Sequence, residues 1–189
     1  MIFSETILAG AYTVEIDRHQ DNRGYFARVF CADTFLAHGL KPVVAQASIS
    51  YNAKRGTLRG LHFQYPPATE NKYVRCTKGA VADVIVDLRP ESATYLRHVI
   101  VNLSADNGRG LYIPERFAHG FITLEPNTEA LYLVDEFYAS EFERGVRWND
   151  PKFGVRWPTE PSVISDKDAK ARDFDPNWHL HSQSSGAAI

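Results

Sequence analysis

Short apolar or alternating runs recur along the whole chain, and clusters of Gly, Pro, Asn and Asp separate them. Runs of this kind are typical of strands joined by turns. The run 81–87 (VADVIVD) is especially rich in β-branched residues, as expected of a core strand. The ten predicted strands cover residues 12–16, 26–30, 43–50, 57–63, 72–76, 80–87, 95–102, 110–113, 120–123 and 129–137. So many short strands favour a β-sandwich or barrel.

Helical patterns are confined to two short segments. Residues 32–38 favour a helix that ends at Gly39, and residues 165–172 favour another with Ser165 as its N-cap. The long amphipathic crossover helices of a βαβ fold are missing, and so are GxGxxG and phosphate-loop motifs. We therefore predict one domain over residues 1–180, with a flexible tail over residues 181–189.

Composition agrees with a single globular domain. The chain has 189 residues, of which 44% are hydrophobic and 23% charged, and this balance argues against disorder. Its 21 basic and 23 acidic residues give a net charge of −2, so no overall attraction to nucleic acid or to an anionic membrane is expected. We find no signal peptide and no apolar stretch long enough for a membrane span, and we expect a cytoplasmic protein with reduced Cys31 and Cys76.

Two of the seven histidines, His62 and His119, lie inside strand-like segments with polar and apolar neighbours. A lone strand histidine is more often a hydrogen-bonded structural residue than a catalytic one. A small β-fold, however, commonly holds a ligand in its mouth or interior. Both histidines are therefore candidate site residues.

A metal site is disfavoured by the spacing of the histidines. Jelly-roll metal sites usually have two ligands close together, often as His-x-His, with a third ligand and a carboxylate. The one His-x-His of this chain, His179-Leu180-His181, falls near the C-terminal end and outside any predicted strand. We therefore predict a site without a metal.

Several motifs occur in a specific order along the chain. LRGLHFQ at residues 58–64 is followed by IPERFAHGF at residues 113–121. The other motifs are DNRGYF at 21–26, KYVR at 72–75, DVIVDLR at 83–89, ERGVRWNDP at 143–151 and SDKD at 165–168. Together they resemble the dTDP-4-dehydrorhamnose 3,5-epimerase family over roughly residues 1–170. The resemblance implies an all-β, cupin-type jelly-roll β-sandwich with a few short helices, usually a homodimer, acting without a metal or redox cofactor.

The family's substrate is a nucleotide-activated 4-keto-6-deoxy sugar. Its ketone acidifies the hydrogens on the two flanking carbons, so a modest base can remove one if the enolate is stabilised. Return of the proton to the opposite face then inverts that carbon. This chemistry needs a base, an acid on the other side, and positive charge near the ketone oxygen.

The resemblance assigns these catalytic roles to four residues. His62 matches the base and Asp168 the carboxylate that orients it, with Asp166 as an alternative two residues away. Tyr132 matches the acid, and Lys72 matches the cation near the keto oxygen. Each of these residues also fits an ordinary structural role when taken alone, and the ordered set of motifs is what favours catalysis.

The resemblance also implies substrate-binding residues, namely Arg23, Phe26, Gln46, Arg59 and His119. Arginine forks suit diphosphate or sugar oxygens. Strict alternation along a strand puts Arg59 and His62 on opposite faces. We expect Gly60 to mark a bulge or twist that turns both side chains inward.

The chain departs from the family pattern around the recognition shell. It has Arg28 where a glutamate is common, Gln46-Ala47-Ser48 where Asn-His-Ser is common, and Leu133 where a lysine is common. The nucleotide and the number of inverted carbons therefore stay open. The alternatives are a single-centre epimerase or isomerase of a related nucleotide keto sugar, and a non-catalytic cupin that binds a sugar or an anionic ligand.

Overall fold

The computed structural model describes residues 1–180, and over these residues the chain forms fourteen strands and three short helices. The strands are β1 (Ile2–Glu5), β2 (Tyr12–Glu15), β3 (His19–Asp21), β4 (Gly24–Phe26), β5 (Gln46–Asn52), β6 (Thr57–Gln64), β7 (Lys72–Lys78), β8 (Ala80–Asp87), β9 (His98–Ser104), β10 (Gly110–Ile113), β11 (Phe117–Thr123), β12 (Thr128–Val134), β13 (Glu143–Gly145) and β14 (Val163–Ile164). The helices are α1 (Ala32–Ala37), α2 (Asp166–Ala169) and α3 (Pro176–His179).

The strands form two sheets that face each other and one separate hairpin. The first sheet has the order β1-β2-β10-β7-β12-β5, and the second has the order β13-β6-β11-β8-β9. Strand β14 adds to β6 in parallel, whereas the other pairs are antiparallel. The hairpin consists of β3 and β4. This architecture confirms the predicted all-β sandwich of the jelly-roll type.

The main core lies between the two sheets. Val74 and Ala130 of the first sheet meet Ile85 and Phe121 of the second, and all four side chains are fully buried. A second core covers the opposite face of the second sheet, where Phe174 and other residues of the C-terminal third pack on it. Strand β8 lies between the two cores, which explains why its sequence is apolar throughout and does not alternate.

Most predicted strands match strands of the structure. The run 26–30 is wrong, because the strand there is Gly24–Phe26 and the residues after Phe26 are not extended in a sheet. Strand β1 and the short strands β3, β13 and β14 were missed. The last two have two or three residues each and are held by pairing with β6. An alternation of apolar and polar residues cannot be recognised in a segment of two or three residues.

Both predicted helices form, but each is shorter than predicted. Helix α1 ends at Ala37, two residues before Gly39. Helix α2 begins after Ser165, whose hydroxyl accepts the N–H of Asp168 at 3.1 Å, and this confirms the predicted N-cap. Helix α3 was missed. It fully buries His179, a residue that the sequence placed outside every predicted strand.

The remaining expectations concern the ends of the chain and its thiols. The predicted flexible tail, residues 181–189, lies outside the described residues. Cys31 and Cys76 are free thiols, Cys76 being buried and Cys31 partly buried. Among the helices described, none has the length and apolarity needed to cross a membrane.

Candidate active site

A cavity of about 590 Å³ opens between the two sheets. Strands β5, β7 and β12 line it from the first sheet, and β6 and β11 line it from the second. A third wall is the β14–α2 segment, which we define as residues 163–169. The polar side chains lining the cavity belong to Ser48, Ser50, Thr57, Arg59, His62, Lys72, His119, Tyr132, Ser165, Lys167 and Asp168.

His62 and Asp168 form a hydrogen-bonded pair in this cavity. The Nε2 atom of His62 lies 2.7 Å from Oδ1 of Asp168, and the Gly60 N–H donates to Oδ2 at 3.2 Å. Burial raises the pKa of Asp168, but hydrogen bonds and the charge of His62 outweigh it and hold the pKa below its usual value. Asp168 is therefore ionised at neutral pH. Asp166 instead points outward, where it pairs with Lys170.

A second histidine–aspartate pair lies next to the first. His119 Nε2 lies 2.9 Å from Oδ1 of Asp83, and both side chains are buried. His119 and His62 are direct partners in the register of β11 and β6. The imidazole of His119 also meets the Tyr132 ring edge to face, with centroids 5.8 Å apart.

Tyr132 reaches the cavity from the opposite sheet. It lies on β12 in the inward-facing alternation, partly buried against the main core. Burial raises its pKa well above the usual value, and the nearby Asp83 carboxylate raises it further. The phenol is therefore protonated at neutral pH.

Of the three cations that line the cavity, Lys72 and Arg59 lie on strands of the two facing sheets. Lys72, at the start of β7, pairs with Glu70 at 2.5 Å. Arg59 lies on β6, and its Nε donates to Oδ1 of Asn52 at 2.7 Å. Arg59 and His62 thus line one cavity, as expected from a bulge or twist at Gly60. Gly60 has a φ of +110°, and the β6–β11 register shifts at this point.

The other predicted substrate-binding residues do not line this cavity within the described part of the chain. Arg23 lies in the turn of the β3–β4 hairpin, where it is highly exposed and pairs with Asp21. Phe26 of the same hairpin is 71% exposed. Gln46 begins β5, and its amide oxygen accepts the N–H of Tyr138 at 2.9 Å.

Several residues of the site were missed from the sequence. Asp83 was seen only as part of a core strand, because its partner lies on another strand. Asn52 and the Glu143–Lys167 ion pair, at 2.6 Å, were also missed. Each of these residues acts on a side chain that lies on another element of the fold. A polar residue inside an apolar run, as Asp83 is in VADVIVD, was the one available signal.

Comparisons with known proteins agree with this geometry. The sequence profile described as dTDP-4-dehydrorhamnose 3,5-epimerase matches residues 5–175. A dTDP-4-dehydrorhamnose 3,5-epimerase from Sinorhizobium fredii is 41% identical over 170 residues, covering 89% of this chain and 87% of that protein.

Solved structures of similar proteins extend the comparison. The enzyme of that name from Bacillus anthracis, with TDP and PPi bound, has a TM-score of 0.89 and 39% identity, covering 92% of this chain and 99% of that one. The dTDP-6-deoxy-D-glucose-3,5-epimerase from Legionella pneumophila, in complex with dTDP-4-keto-L-rhamnose, has a TM-score of 0.88 and 32% identity, covering 97% and 99%. ChmJ, a 3'-monoepimerase from Streptomyces bikiniensis in complex with dTDP-quinovose, has a TM-score of 0.83 and 32% identity, covering 89% and 85%. The profile match and the identities show that the chain belongs to the dTDP-4-dehydrorhamnose 3,5-epimerase family, whose members are isomerases.

Proposed function

We propose that this chain epimerises a dTDP-linked 4-keto-6-deoxy sugar at C3 and C5, the two carbons that flank the ketone. One observation carries the proposal: His62 and Tyr132 line the same cavity from opposite sheets. A sugar ring bound between them has a base on one face and an acid on the other. Inversion of a carbon next to a ketone requires this arrangement.

His62 is the base in this mechanism. Asp168 holds Nε2, so Nδ1 is the ring nitrogen that takes the proton from the sugar carbon. The ionised carboxylate then stabilises the imidazolium that forms. Asp168 is itself fixed by the N–H of Gly60 and by its place on α2, so the imidazole keeps one orientation.

Tyr132 is the acid. Its raised pKa keeps the proton on the phenol until the enolate is present, and the substrate lies between it and His62. Lys72, which is paired with Glu70, donates a hydrogen bond to the keto oxygen as negative charge develops there. The buried His119–Asp83 pair contacts the Tyr132 ring and keeps the phenol in place.

The diphosphate is bound by Arg59 together with residues of a second subunit. Arg23 and Phe26 lie on an exposed hairpin outside this chain's own cavity. If they bind substrate, as the resemblance implies, they do so in the cavity of a partner copy. We therefore propose a homodimer in which the β3–β4 hairpin of each subunit completes the site of the other. The exposed aromatic rings of Tyr25 and Phe26 suit such a contact.

We also propose that the protein works in the cytoplasm. Both of its cysteines are free thiols, which fits a reducing compartment.

The test is solvent exchange. The purified protein is incubated with dTDP-4-keto-6-deoxyglucose in deuterated water, and the sugar is followed by NMR. Deuterium at both C3 and C5, with inversion, is the expected result. Tight binding without deuterium uptake would contradict an enzymatic role and would favour a sugar-binding cupin.

A single-centre epimerase is the second candidate. ChmJ, a similar protein, is named a 3'-monoepimerase, and Leu133 beside Tyr132 departs from the usual family pattern. In the same experiment, deuterium at one carbon alone would select this function. The catalytic residues would keep their roles, because each inversion uses the same base and acid.

A further inference from the structure

We propose that Asn52 is a positioning residue that holds Arg59 as the uncompensated positive charge of the cavity, ready for the diphosphate; this rests on the proposed function. Asn52 ends β5 in the first sheet and is 2% exposed, whereas Arg59 lies on β6 in the second. The 2.7 Å hydrogen bond between them joins the two sheets at the edge of the cavity.

The orientation of the Asn52 amide is fixed by its own contacts. Its nitrogen donates to the carbonyl oxygens of Ser50, at 3.1 Å, and Thr128, at 3.4 Å. Because both acceptors take N–H groups, the amide oxygen must face the other way, toward Nε of Arg59. The guanidinium is therefore held by one edge. Of its terminal nitrogens, Nη2 has only a long contact to the Tyr51 carbonyl oxygen, at 3.4 Å.

The neutrality of this partner sets Arg59 apart from the other cations. Three Lys and Arg side chains line the cavity, and Lys72 and Lys167 each pair with a carboxylate, Glu70 and Glu143. Within residues 1–180, Arg59 has no carboxylate within ion-pair distance. An amide oxygen fixes the guanidinium without cancelling its charge, so an incoming phosphate meets no competing anion. Asparagine suits this role and aspartate does not.

The probe is dTDP, and its dissociation constant is measured by calorimetry alongside kcat and KM for the keto sugar. Asn52→Asp keeps the outline of the side chain, adds a competing charge and removes the N–H groups that Ser50 and Thr128 accept, so we expect dTDP to bind at least about tenfold more weakly. Asn52→Ala leaves Arg59 charged but unrestrained, and we expect a loss of about fivefold. In both variants KM rises while kcat changes by less than about twofold, because the reacting carbons are untouched.

A double-mutant cycle separates positioning from general damage. In an Arg59→Ala background, Asn52→Ala should cause no further loss of dTDP affinity, because the residue it acts through is gone. A loss of the same size in that background would overturn the proposal. If Asn52→Ala does not fold, Asn52→Ser, which keeps a hydroxyl donor at this position, takes its place in the cycle.

The matched control is Tyr51→Phe. It removes a hydrogen bond from the Tyr51 hydroxyl to Asn127 at the same strand end, and the backbone carbonyl facing Arg59 stays in place. Its dTDP affinity should equal that of the wild type.

The outcomes also show which of the two proposals has failed. If Arg59→Ala weakens dTDP binding and both Asn52 variants bind normally, this inference alone is wrong. If Arg59→Ala also binds dTDP normally, both the Asn52 inference and the diphosphate role of Arg59 are wrong. The epimerase activity itself is tested separately, by deuterium exchange.

Discussion

The hydrogen bond between His62 and Asp168 makes a direct prediction for the base. His62→Asn should lower kcat by about a thousandfold and abolish deuterium uptake from solvent, because an amide cannot take the proton that the imidazole accepts in the proposed mechanism. The side chain of His62 is 34% exposed, so unfolding temperature should change little. The exchange rate is measured by NMR and the folding by thermal denaturation. Normal exchange in this variant would show that another residue is the base.

Tyr132→Phe separates the two proton transfers. The substitution removes the phenol hydroxyl but leaves His62 and Asp168 intact, so proton abstraction and solvent exchange should continue. Inversion should fall by about a hundredfold or more, because reprotonation from the opposite face has lost its donor. NMR of the same sample reports both exchange and configuration. Unchanged inversion would exclude Tyr132 as the acid.

Of the residues that the family resemblance singles out, the structure brings six into one cavity, namely Arg59, His62, Lys72, His119, Tyr132 and Asp168, while their roles remain proposals. The choice between Asp166 and Asp168 needed the structure, because the two differ only in which side of a one-turn helix they occupy. Asp83 and Asn52 needed it as well, since each acts on a side chain from a different strand. Arg23, Phe26 and Gln46 match family positions, yet their distance from the cavity depends on strand packing that alternation does not encode.

At the level of elements, the junction of β6 and β11 is the most sensitive point of the site. A Cβ at Gly60 would lie 2.7 Å from both the Gly120 Cα and the His119 carbonyl oxygen, and the φ of +110° is unfavourable for other residues. Gly60→Ala should therefore destabilise the fold by about 3 kcal/mol and disturb both histidine–aspartate pairs. Urea denaturation and kcat measure the two effects.

Gly145→Ala is the matched control on the neighbouring strand β13. Its nearest contact would be at 3.7 Å, an ordinary van der Waals distance, so its stability should stay within about 0.5 kcal/mol of the wild type. Equal destabilisation by the two substitutions would mean that the close approach at Gly60 is not the cause.

The end of β8 predicts how stability depends on pH. Burial raises the pKa of Asp87, but hydrogen bonds from Arg89, Ser92 and Thr94 outweigh it and lower the pKa to about 2. Because the pKa is lower in the folded state than the usual 3.9 or so of the unfolded state, the stabilisation is present above about pH 4. It is lost as the pH falls toward about 2, and after allowance for solvent screening it amounts to about 1 to 2 kcal/mol.

Asp87→Asn should remove that share of the acid dependence. Urea denaturation at pH 7 should show the variant to be less stable, and the difference from the wild type should shrink as the pH approaches 2. Asp166→Asn, at a highly exposed site, serves as the control and should follow the wild type. A difference that is constant with pH would contradict the electrostatic explanation.

Element prediction succeeded where a strand is long and one face or both faces are buried. Strands β5 to β12 carry enough apolar positions for their pattern to be visible. It failed for β13, β14 and α3, which contain two to four residues and owe their conformation to contacts with β6 and with the second core. Such segments take their structure from packing rather than from their own periodicity.

For the whole molecule, the proposed exchange of hairpins makes a prediction about mixed dimers. Arg23→Ala and His62→Asn should each be poorly active alone. When the two are unfolded and refolded together, half of the dimers are mixed, and one of the two sites in each mixed dimer has both an intact His62 and an intact Arg23. Activity should therefore recover to about a quarter of the wild-type value.

The control is refolding of His62→Asn with Tyr132→Phe. Both residues line the cavity of their own chain, so in a mixed dimer one cavity lacks His62 and the other lacks the Tyr132 hydroxyl. No recovery is expected there. Absence of recovery in the Arg23 mixture would contradict the shared site.

Asp168 meets His62 across 106 residues of sequence, and it does so on the β14–α2 segment, after every strand of both sheets except β14 itself. During synthesis, the strands of the two sheets can therefore pair before Asp168 is available to His62. The carboxylate that orients the base is therefore synthesised after the strands that form the cavity, and a copy ending before Asp168 would lack an oriented base.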